Sequence, residues 1–570
     1  MTKKIFTYIV GCLALSSLHA QSFDVEDIKN LFGKGNLLKL NGGFSLNSIL
    51  YEGNEGGNRD PFTYYFNGNI NLNICNLVNM PFSFALTNSG SSYQLPSSPN
   101  RLSLHPTYRW ITAHIGDVSM SFSPYTLNGH LFTGVGVDLR PGSDWEFSVM
   151  YGRFQKAVEY DEIHPALLPT YKRMGYGGKI GWKREKAGVS FNFFTAKDNI
   201  NSLECEPDTL GVNPMQNLAG SLTVFLRPVK FLELNAEYGL SLLTTDLRAP
   251  KEDRSGTLAV WPASRMSSAF YKAVKLSLDY VIDKSRIGVG YERIDPGYRT
   301  LGAYYFTNDL ENITLNASQT VWQNKMNISA SLGYQHDNLA KTKARNTNRM
   351  VGSLSVNATF SERVSANASY SNFQTYSNLR SNFETVNQLN TMDKIDTMNY
   401  VQLSQTAMLT MNFVTKKTDT QLHNLNFNLT YQDAADKEGD RYRPGSISEL
   451  INASSMYNWS FLQSGLALTA SINCSSSKVR NENIFTWGPT LGVSAKAFKK
   501  KVGISGSLSY NTSELQSVKQ MDIYLCRFTA AYSPFKRHNI TLGYNYQWRD
   551  LIERESSYNS IGTIGYTYSF

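Results

Sequence analysis

The chain lacks long apolar runs beyond its first residues. Ile5–Leu18 is apolar, but no later stretch reaches the roughly 18 apolar residues that a membrane-crossing helix needs. A bundle of membrane-spanning helices is therefore excluded. Charge is also sparse, since only 18% of the residues are charged. No basic block alternates with aromatic residues, as a nucleic-acid-binding surface requires, so no nucleic-acid partner is expected.

Cysteine is scarce for a chain of 570 residues. Apart from Cys12, four cysteines lie far apart, without a CxxC pair or zinc-like spacing: Cys75, Cys205, Cys474 and Cys526. A disulfide framework would normally use more of them. These four are therefore interpreted as unpaired thiols.

Catalytic motifs are missing as well. The sequence has no G-x-S-x-G elbow, HExxH motif or P-loop, and its eight histidines are scattered without metal-ligand spacing. Polar residues that could serve a hydrolase lie in one stretch: His105, His114, Asp117, Ser119, Ser121 and His130. Nothing in the sequence places a base within about 3 Å of a nucleophile among them. We expect no enzymatic activity, no metal and no cofactor.

The sequence begins with an export signal. Basic residues precede the apolar run Ile5–Leu18, and Leu18-His19-Ala20 forms a cleavage site before Gln21. A lipoprotein signal is the rival interpretation, because the residues before Cys12 resemble a lipobox. The apolar run continues past Cys12, which favours ordinary cleavage. We expect residues 1–20 to be a signal peptide and residues 21–35 to be a short periplasmic segment.

Strict alternation of apolar and polar residues recurs along the rest of the chain. Asn539–Trp548, Val502–Tyr510 and Leu425–Tyr431 each place apolar side chains on one face and small polar ones on the other. A soluble β-sandwich or propeller would also alternate, but the alternating segments of this chain as a whole run about 10 to 14 residues, against about 5 or 6 in soluble strands. Many begin or end in an aromatic residue, as an interfacial girdle requires. The pattern predicts an all-β fold, a transmembrane antiparallel up-and-down β-barrel over residues 36–570.

The last residues resemble the C-terminal assembly signal of outer-membrane barrels. Apolar side chains alternate at Ile564, Tyr566, Tyr568 and Phe570. We expect this segment to be the last barrel strand, which pairs with the first strand and closes the ring. The resemblance implies that the barrel-assembly machinery is a partner.

Connection lengths predict the number of strands. Outer-membrane barrels keep short turns in the periplasm and long loops outside, and counting back from Phe570 on this basis gives about 24 strands, with a range of 22–26. Both termini then lie in the periplasm.

One stretch does not fit this count. Residues 91–128 fall on a single outside connection, yet they are rich in apolar side chains, whose phase flips at Gly116-Asp117 as a bulge or bend would cause. We favour a luminal plug or constriction, because a wide barrel needs occlusion. The alternatives are two ordinary wall strands, which give 26 in total, or an external flap. The residues predicted to constrict the lumen are His105, Tyr108, Arg109, His114, Asp117, Tyr125 and His130.

Two charged stretches receive simpler interpretations. The acidic run Asp433–Asp440 could hold calcium, but Lys437 lies within it, so a solvated external loop is favoured. Lys499–Lys501 and Lys536–Arg537 fall at predicted periplasmic turns, where they are expected to aid solubility.

Scattered segments resemble a group of known proteins. Phe122–His130, Gly134–Leu139, Tyr151–Phe154, Leu301–Phe306 and Asp396–Tyr400 are similar to segments of large predicted outer-membrane β-barrel proteins of the Bacteroidota. The resemblance implies an outer-membrane barrel and no particular activity. A TonB-dependent receptor is disfavoured, because the segment before the first strand is too short for that family's plug domain.

These observations favour a gated or plugged conduit for a solute or a polypeptide. The alternative is an outer-membrane anchor for a surface or secretion-machinery protein, and a lipid or protein hydrolase is a minor alternative. Outer-membrane lipids are expected partners in each case, and a secreted or surface protein is the further partner of a polypeptide conduit or an anchor.

Overall fold

The wall of the molecule is one antiparallel sheet that closes on itself. The computed structural model describes residues 38–54, 60–89, 99–142, 144–161, 168–204, 211–251, 265–341, 348–372, 375–377, 401–434, 437–438, 441–442, 448–479, 482–552 and 555–570. The predicted signal peptide 1–20, segment 21–35 and Cys205 lie outside these ranges. The described chain also contains a short 3₁₀ helix, Ile200–Ser202, and a small ribbon of Lys437–Glu438 and Arg441–Tyr442.

The first half of the wall consists of thirteen strands. They are β1 (Leu38–Gly53), β2 (Phe62–Ile74), β3 (Val78–Thr87), β4 (Arg101–Leu104 and Thr107–Tyr108), β5 (Ile111–Ser121), β6 (Asn128–Leu139), β7 (Trp145–Gln155), β8 (Arg173–Lys183), β9 (Ala187–Asp198), β10 (Gln216–Val229), β11 (Leu232–Thr244), β12 (Ser268–Ile282) and β13 (Ser285–Ile294).

The second half has thirteen more. They are β14 (Leu310–Val321), β15 (Met326–His336), β16 (Asn348–Ser361), β17 (Val364–Ser371 and Thr375–Ser377), β18 (Val401–Lys417), β19 (Gln421–Ala434), β20 (Ser448–Phe461), β21 (Leu466–Val479), β22 (Glu482–Ala497), β23 (Val502–Leu515), β24 (Val518–Tyr532), β25 (His538–Leu551) and β26 (Ser557–Ser569). The sheet has 28 segments, and because β4 and β17 are each interrupted once, they form 26 wall strands.

The ring closes where the sequence predicts. β26 pairs antiparallel with β1, from Gly43 opposite Ser569 to Gly53 opposite Asn559. The backbone N–H of Phe570 donates to the carbonyl of Gly42 at 2.9 Å. Closure pairs the first and last of the described strands, so neither is left as a free edge in lipid.

Each strand presents one apolar face outward. On β7, Val149 and Tyr151 are 63% and 55% exposed, whereas Met150 between them is 1% exposed. Large apolar side chains project in the same way around the whole ring, for example Ile180, Phe191, Leu315, Leu491 and Leu508. A continuous apolar exterior on a closed antiparallel ring is the surface of a membrane-spanning barrel. Among the described residues, no helix is both long and apolar enough to cross a membrane.

Short and long connections lie at opposite ends of the barrel. Two-residue turns at one end join β10 to β11 at Lys230–Phe231 and β12 to β13 at Asp283–Lys284, and Asp283 has positive φ, as a tight hairpin requires. The short turn Gln516–Ser517 between β23 and β24 is an exception, because it lies at the other end. The strand parity puts the start of β1 and the end of β26 on one edge, the turn edge. The longer connections, such as the one between β13 and β14, lie at the other edge, the loop edge.

The predicted count of 24 is two strands short. Residues 101–108 and 111–121 form β4 and β5, two ordinary wall strands paired with β3 and β6, so the favoured interpretation of the whole stretch 91–128 as a luminal segment is not confirmed. Residues 91–98 lie outside the described ranges.

The phase flip has a different cause from the one expected. Pairing with β6 runs unbroken from Ile111 to Ser119, so even-numbered residues face inward on both sides of Gly116. The side chains of Val118 and Met120 are buried inside the barrel. The apolar residues of β5 switch from the outward to the inward face because part of the barrel interior is apolar. Gly116 has φ of +99°, but this local distortion does not shift the pairing with β6.

Candidate functional site

The connection between β5 and β6 folds into the barrel. Tyr125 and Leu127 are 2% and 0% exposed. The hydroxyl of Ser123 donates to Glu237, and the hydroxyl of Tyr125 donates to Glu292 Oε1 at 2.8 Å. Both carboxylates face inward, on β11 and β13, several strands away around the wall. Phe122–Leu127 therefore crosses the inner face of the wall, and we name it the first inner loop.

A second connection meets it there. The loop between β13 and β14 buries Tyr298, whose hydroxyl donates to the carbonyl of Tyr125 at 2.8 Å. Thr300 donates to the carbonyl of Thr126 at 2.5 Å. The N–H of Asn128 donates to the carbonyl of Gly302 at 2.9 Å. Residues 295–309, the second inner loop, are therefore joined to the first by backbone and side-chain hydrogen bonds.

A buried asparagine fixes the second inner loop to the wall. Asn217 on β10 is fully buried, and its amide nitrogen donates to Ser241 Oγ at 2.8 Å and to the carbonyl of Arg299 at 3.3 Å. Its carbonyl oxygen accepts from the N–H of Leu301 at 3.2 Å. Buried polar groups paired in this way hold one geometry, because each lost partner would leave a costly unsatisfied group.

An apolar core lies beneath the two inner loops, inside the barrel. Its members come from four wall strands and both loops: Val118, Met120, Phe122, Leu127, Phe132, Met150, Phe154, Phe194, Ala196 and Leu301. Glycines on the wall make room for the rings, because a Cβ at Gly152 would lie 2.5 Å from the Phe132 ring and one at Gly175 would lie 2.7 Å from the Phe154 ring. This part of the lumen is packed like the interior of a soluble domain.

An ion pair holds the loop edge of this core. Arg173 on β8 makes two hydrogen bonds to Asp198 on β9, of 2.7 and 2.9 Å, and both side chains are buried. Asp198 also accepts from the N–H of Met215 at 2.9 Å, so the start of β10 is tied to the same pair.

Burial fixes the protonation of the two central tyrosines. Burial and the neighbouring Glu292 carboxylate raise the pKa of Tyr125, and burial followed by Glu237 raises the pKa of Tyr298. Both hydroxyls therefore remain neutral donors at physiological pH.

Two of the predicted luminal residues begin a polar chain on the wall. Nδ1 of His105 lies 2.8 Å from Nδ1 of His114, whose Nε2 lies 3.0 Å from Asp138 Oδ2. Ser148 donates to Asp138 Oδ1 at 2.5 Å. Ser148 bonds to the Asp138 carboxylate and not to an imidazole. This series of hydrogen bonds therefore lacks the nucleophile–base contact that a serine hydrolase needs.

The structure separates the other predicted residues. Tyr125 and His130 are buried inside the barrel, and His130 stacks on Tyr304 at 4.0 Å. Tyr108 and Arg109 lie at the turn edge, with the guanidinium 5.5 Å from the tyrosine ring centre. Asp117 faces outward, where it accepts from Thr133 at 2.6 Å. The constricting role of the predicted set stays a prediction.

Sequence reasoning missed the second inner loop and the wall residues that hold both loops, Glu237, Glu292 and Asn217. A signal was available, because Leu301-Gly302-Ala303-Tyr304-Tyr305-Phe306 is too apolar for a solvated external loop. In the described part of the chain, no three His, Cys, Asp or Glu side chains converge as metal ligands.

Comparisons with known proteins give a fold-level likeness alone. No family model matches the chain and no curated protein matches it. Among solved structures, it is similar to the P pilus usher (PapC) translocation pore, with 11% identity, 93% of this chain and 99% of that chain covered, and a TM-score of 0.38. It is also similar to a mutant of the ferric enterobactin receptor (PfeA) from Pseudomonas aeruginosa, with 9% identity, 93% and 80% coverage, and a TM-score of 0.41.

A third similar structure is the FrpB iron transporter from Neisseria meningitidis (F5-1 variant). It has 11% identity, 95% of this chain and 84% of that chain covered, and a TM-score of 0.36. Similarities this low carry no inference about substrate, so the function must be argued from this chain's own residues.

Proposed function

We propose that the protein is an outer-membrane conduit for a hydrated solute or polypeptide, and that the two inner loops gate it. The observation that carries this proposal is the hydrogen-bonded contact between Tyr125 and Tyr298 inside the barrel. It is a closed, fully packed contact between two loops that leave the wall at different strands. Breaking this contact would give the open conformation, in which one or both loops leave the lumen.

The character of the wall supports a hydrated cargo. The inward faces of β14, β15 and β16 carry small uncharged side chains, including Thr314, Asn316, Ser329, Ser331 and Ser353. Hydroxyl and amide groups replace the hydrogen bonds of water without selecting a charge sign. A cargo rich in hydroxyl or amide groups therefore fits this part of the lumen best.

Single-channel conductance in planar bilayers tests the gate. We compare wild type with a variant in which Ser123–Leu127 is replaced by five glycines, which keeps the connection between β5 and β6 at its full length. We expect wild type to be mostly closed and the glycine variant to show a large, persistent conductance. Replacing residues 552–556, a loop-edge connection between β25 and β26, by five glycines serves as the control and should leave the channel closed.

A different result would favour the other functions. If wild type and both variants remain closed while a pull-down recovers one stoichiometric partner, the protein is an anchor and the conduit proposal fails. A lipid-hydrolysis assay on the purified barrel tests the hydrolase alternative.

A further inference from the structure

The turn edge of the barrel carries a concentration of basic side chains. Lys499–Lys501 and Lys536–Arg537 occupy neighbouring turns and are exposed. The turns are in contact, since Lys501 Nζ donates to the carbonyl of Pro534 at 3.4 Å. Further basic residues follow around the same edge: Arg184, Lys186, Lys230, Lys284, Lys325, Arg363, Lys416 and Lys417.

Acidic residues at this edge are too few to neutralise the basic ones. Asp144 forms an ion pair with Arg184 at 2.8 Å. Glu146 and Glu233, at the turn-edge ends of β7 and β11, pair with four basic residues: Arg140, Lys179, Arg227 and Arg286. The described turns also contain Glu185, Asp283, Glu362 and Asp419. The two neighbouring turns of Lys499–Lys501 and Lys536–Arg537 contain no carboxylate at all. The turn edge is therefore strongly positive.

Aromatic side chains project from the same turns. Phe498 and Phe535 are 78% and 71% exposed, and each directly precedes one of the basic groups. Trp322, in the turn between β14 and β15, and Phe360, at the turn-edge end of β16, are also exposed, with ring centres 6.3 Å apart. Exposed aromatic rings beside basic groups, at the end of an apolar wall, are the arrangement that anchors proteins at a membrane interface.

The loop edge differs in charge, because carboxylates accompany its basic residues on the outward face. Outward-facing carboxylates occur there at Asp117, Glu311 and Asp522. Each accepts a hydrogen bond from a hydroxyl group of an adjacent strand. Asp522, for example, accepts from the Tyr510 hydroxyl at 3.1 Å and also lies 2.7 Å from Lys519 Nζ on its own strand. The charge difference between the edges therefore distinguishes the two leaflets that the barrel touches.

We infer that the turn edge is a binding surface for anionic phospholipid head groups of the periplasmic leaflet. Lys and Arg side chains would contact the phosphates, while Phe498 and Phe535 enter the interfacial layer beneath them. A lipid fits better than an acidic protein, because the basic residues are spread around the edge and the aromatic rings adjoin the lipid-facing wall. The inference concerns the outside of the barrel and does not depend on the gate.

Native mass spectrometry of the detergent-solubilised barrel tests this surface with phosphatidylglycerol and phosphatidylcholine as probes. We expect wild type to retain phosphatidylglycerol preferentially, and the preference to weaken as salt rises, because salt screens exposed charges. The turn-edge variant carries Lys499→Gln, Lys500→Gln, Lys501→Gln, Lys536→Gln and Arg537→Gln. Each basic residue near a charged membrane surface raises the affinity for anionic lipid about fivefold. The ratio of bound phosphatidylglycerol to bound phosphatidylcholine should therefore fall by about tenfold or more in this variant.

The matched control removes the same number of charges at the loop edge. It carries Lys172→Gln, Lys197→Gln, Lys251→Gln, Lys341→Gln and Lys478→Gln, all exposed positions, and it should keep the wild-type preference. Heat-modifiable mobility in gels verifies that each variant is folded. If the turn-edge variant with five substitutions does not fold, the double variant Lys536→Gln with Arg537→Gln is tested instead.

Three results would overturn the inference. Wild type could show no preference for phosphatidylglycerol, or the turn-edge variant could keep the preference, or the loop-edge control could lose it equally. Capture of polyglutamate by wild type without any lipid preference would assign the surface to an acidic protein instead.

Discussion

At the scale of single residues, the inner loops are held by hydroxyl groups that donate to inward-facing carboxylates. We expect Tyr125→Phe to weaken the closed state, because Glu292 would lose the hydroxyl that donates to it. The nearest basic group, Lys275 Nζ, is 3.9 Å from the Glu292 carboxylate, too far to replace this hydrogen bond. A hydrogen bond to a charged group is worth about 1.5–3 kcal/mol, so channel openings should become about 10- to 100-fold more frequent. Tyr176→Phe, on the outward face of β8, is the control in the same bilayer recording. Equal open fractions in wild type and Tyr125→Phe would show that this hydrogen bond does not hold the gate.

Gly239 on β11 gives a second prediction at this scale. A Cβ there would lie 2.8 Å from Cβ of Tyr125 and 3.1 Å from the hydroxyl oxygen of Tyr298, whereas a Cβ at Gly503 on β23 would meet nothing within 4 Å. Gly239→Ala should therefore displace both inner loops and raise conductance, while Gly503→Ala should behave like wild type. If the channels of both variants stay closed, displacement of the inner loops at Gly239 does not open the barrel, and the gating role of the loops is contradicted.

The buried pair Arg173–Asp198 should matter for stability. Asp198→Asn leaves the Arg173 charge buried without its partner, which typically costs about 3–5 kcal/mol. We expect the urea midpoint of the refolded barrel to fall clearly for this variant. The double variant Arg173→Met with Asp198→Leu should recover much of the loss, because an apolar pair has no charge to desolvate. A double variant as unstable as the single one would mean that the pair is needed for its geometry.

At the scale of elements, the alternation of side chains predicted most of the wall and the pairing of its ends. Apolar and polar residues alternate because one face of a strand meets lipid and the other meets the lumen. This difference acts on each strand separately, so it is visible in segments such as Asn539–Trp548. The prediction failed at β5, where Val118 and Met120 face an apolar interior and reverse the contrast. A single sequence does not show that two loops distant along the chain supply that interior.

The same reason explains why half of the proposed gate was not predicted. Tyr125 stood out because it lies in an apolar stretch, but its loop's partners Glu237 and Glu292 are isolated carboxylates on otherwise ordinary strands. Their role arises only when the barrel curves and brings β11 and β13 under the first inner loop. Contacts of this kind depend on the tertiary arrangement and leave no periodic pattern.

At the scale of the whole molecule, every conclusion depends on closure between β1 and β26, and a disulfide tests it directly. Asn47 on β1 lies opposite Gly565 on β26, and opposed antiparallel residues have Cα atoms about 4.5–5.5 Å apart, within the range that a disulfide spans. With the native cysteines replaced by serine, Asn47→Cys with Gly565→Cys should cross-link efficiently on oxidation and give a compact, faster-migrating band. Asn47→Cys with Thr541→Cys is the control. Thr541 on β25 lies opposite Gly565 on its other side, so it is two strand spacings, about 10 Å, from Asn47. This pair should remain reduced. Efficient cross-linking of the control, or none in the first pair, would mean that the ring closes in another register or stays open, and a conduit could not be inferred from it.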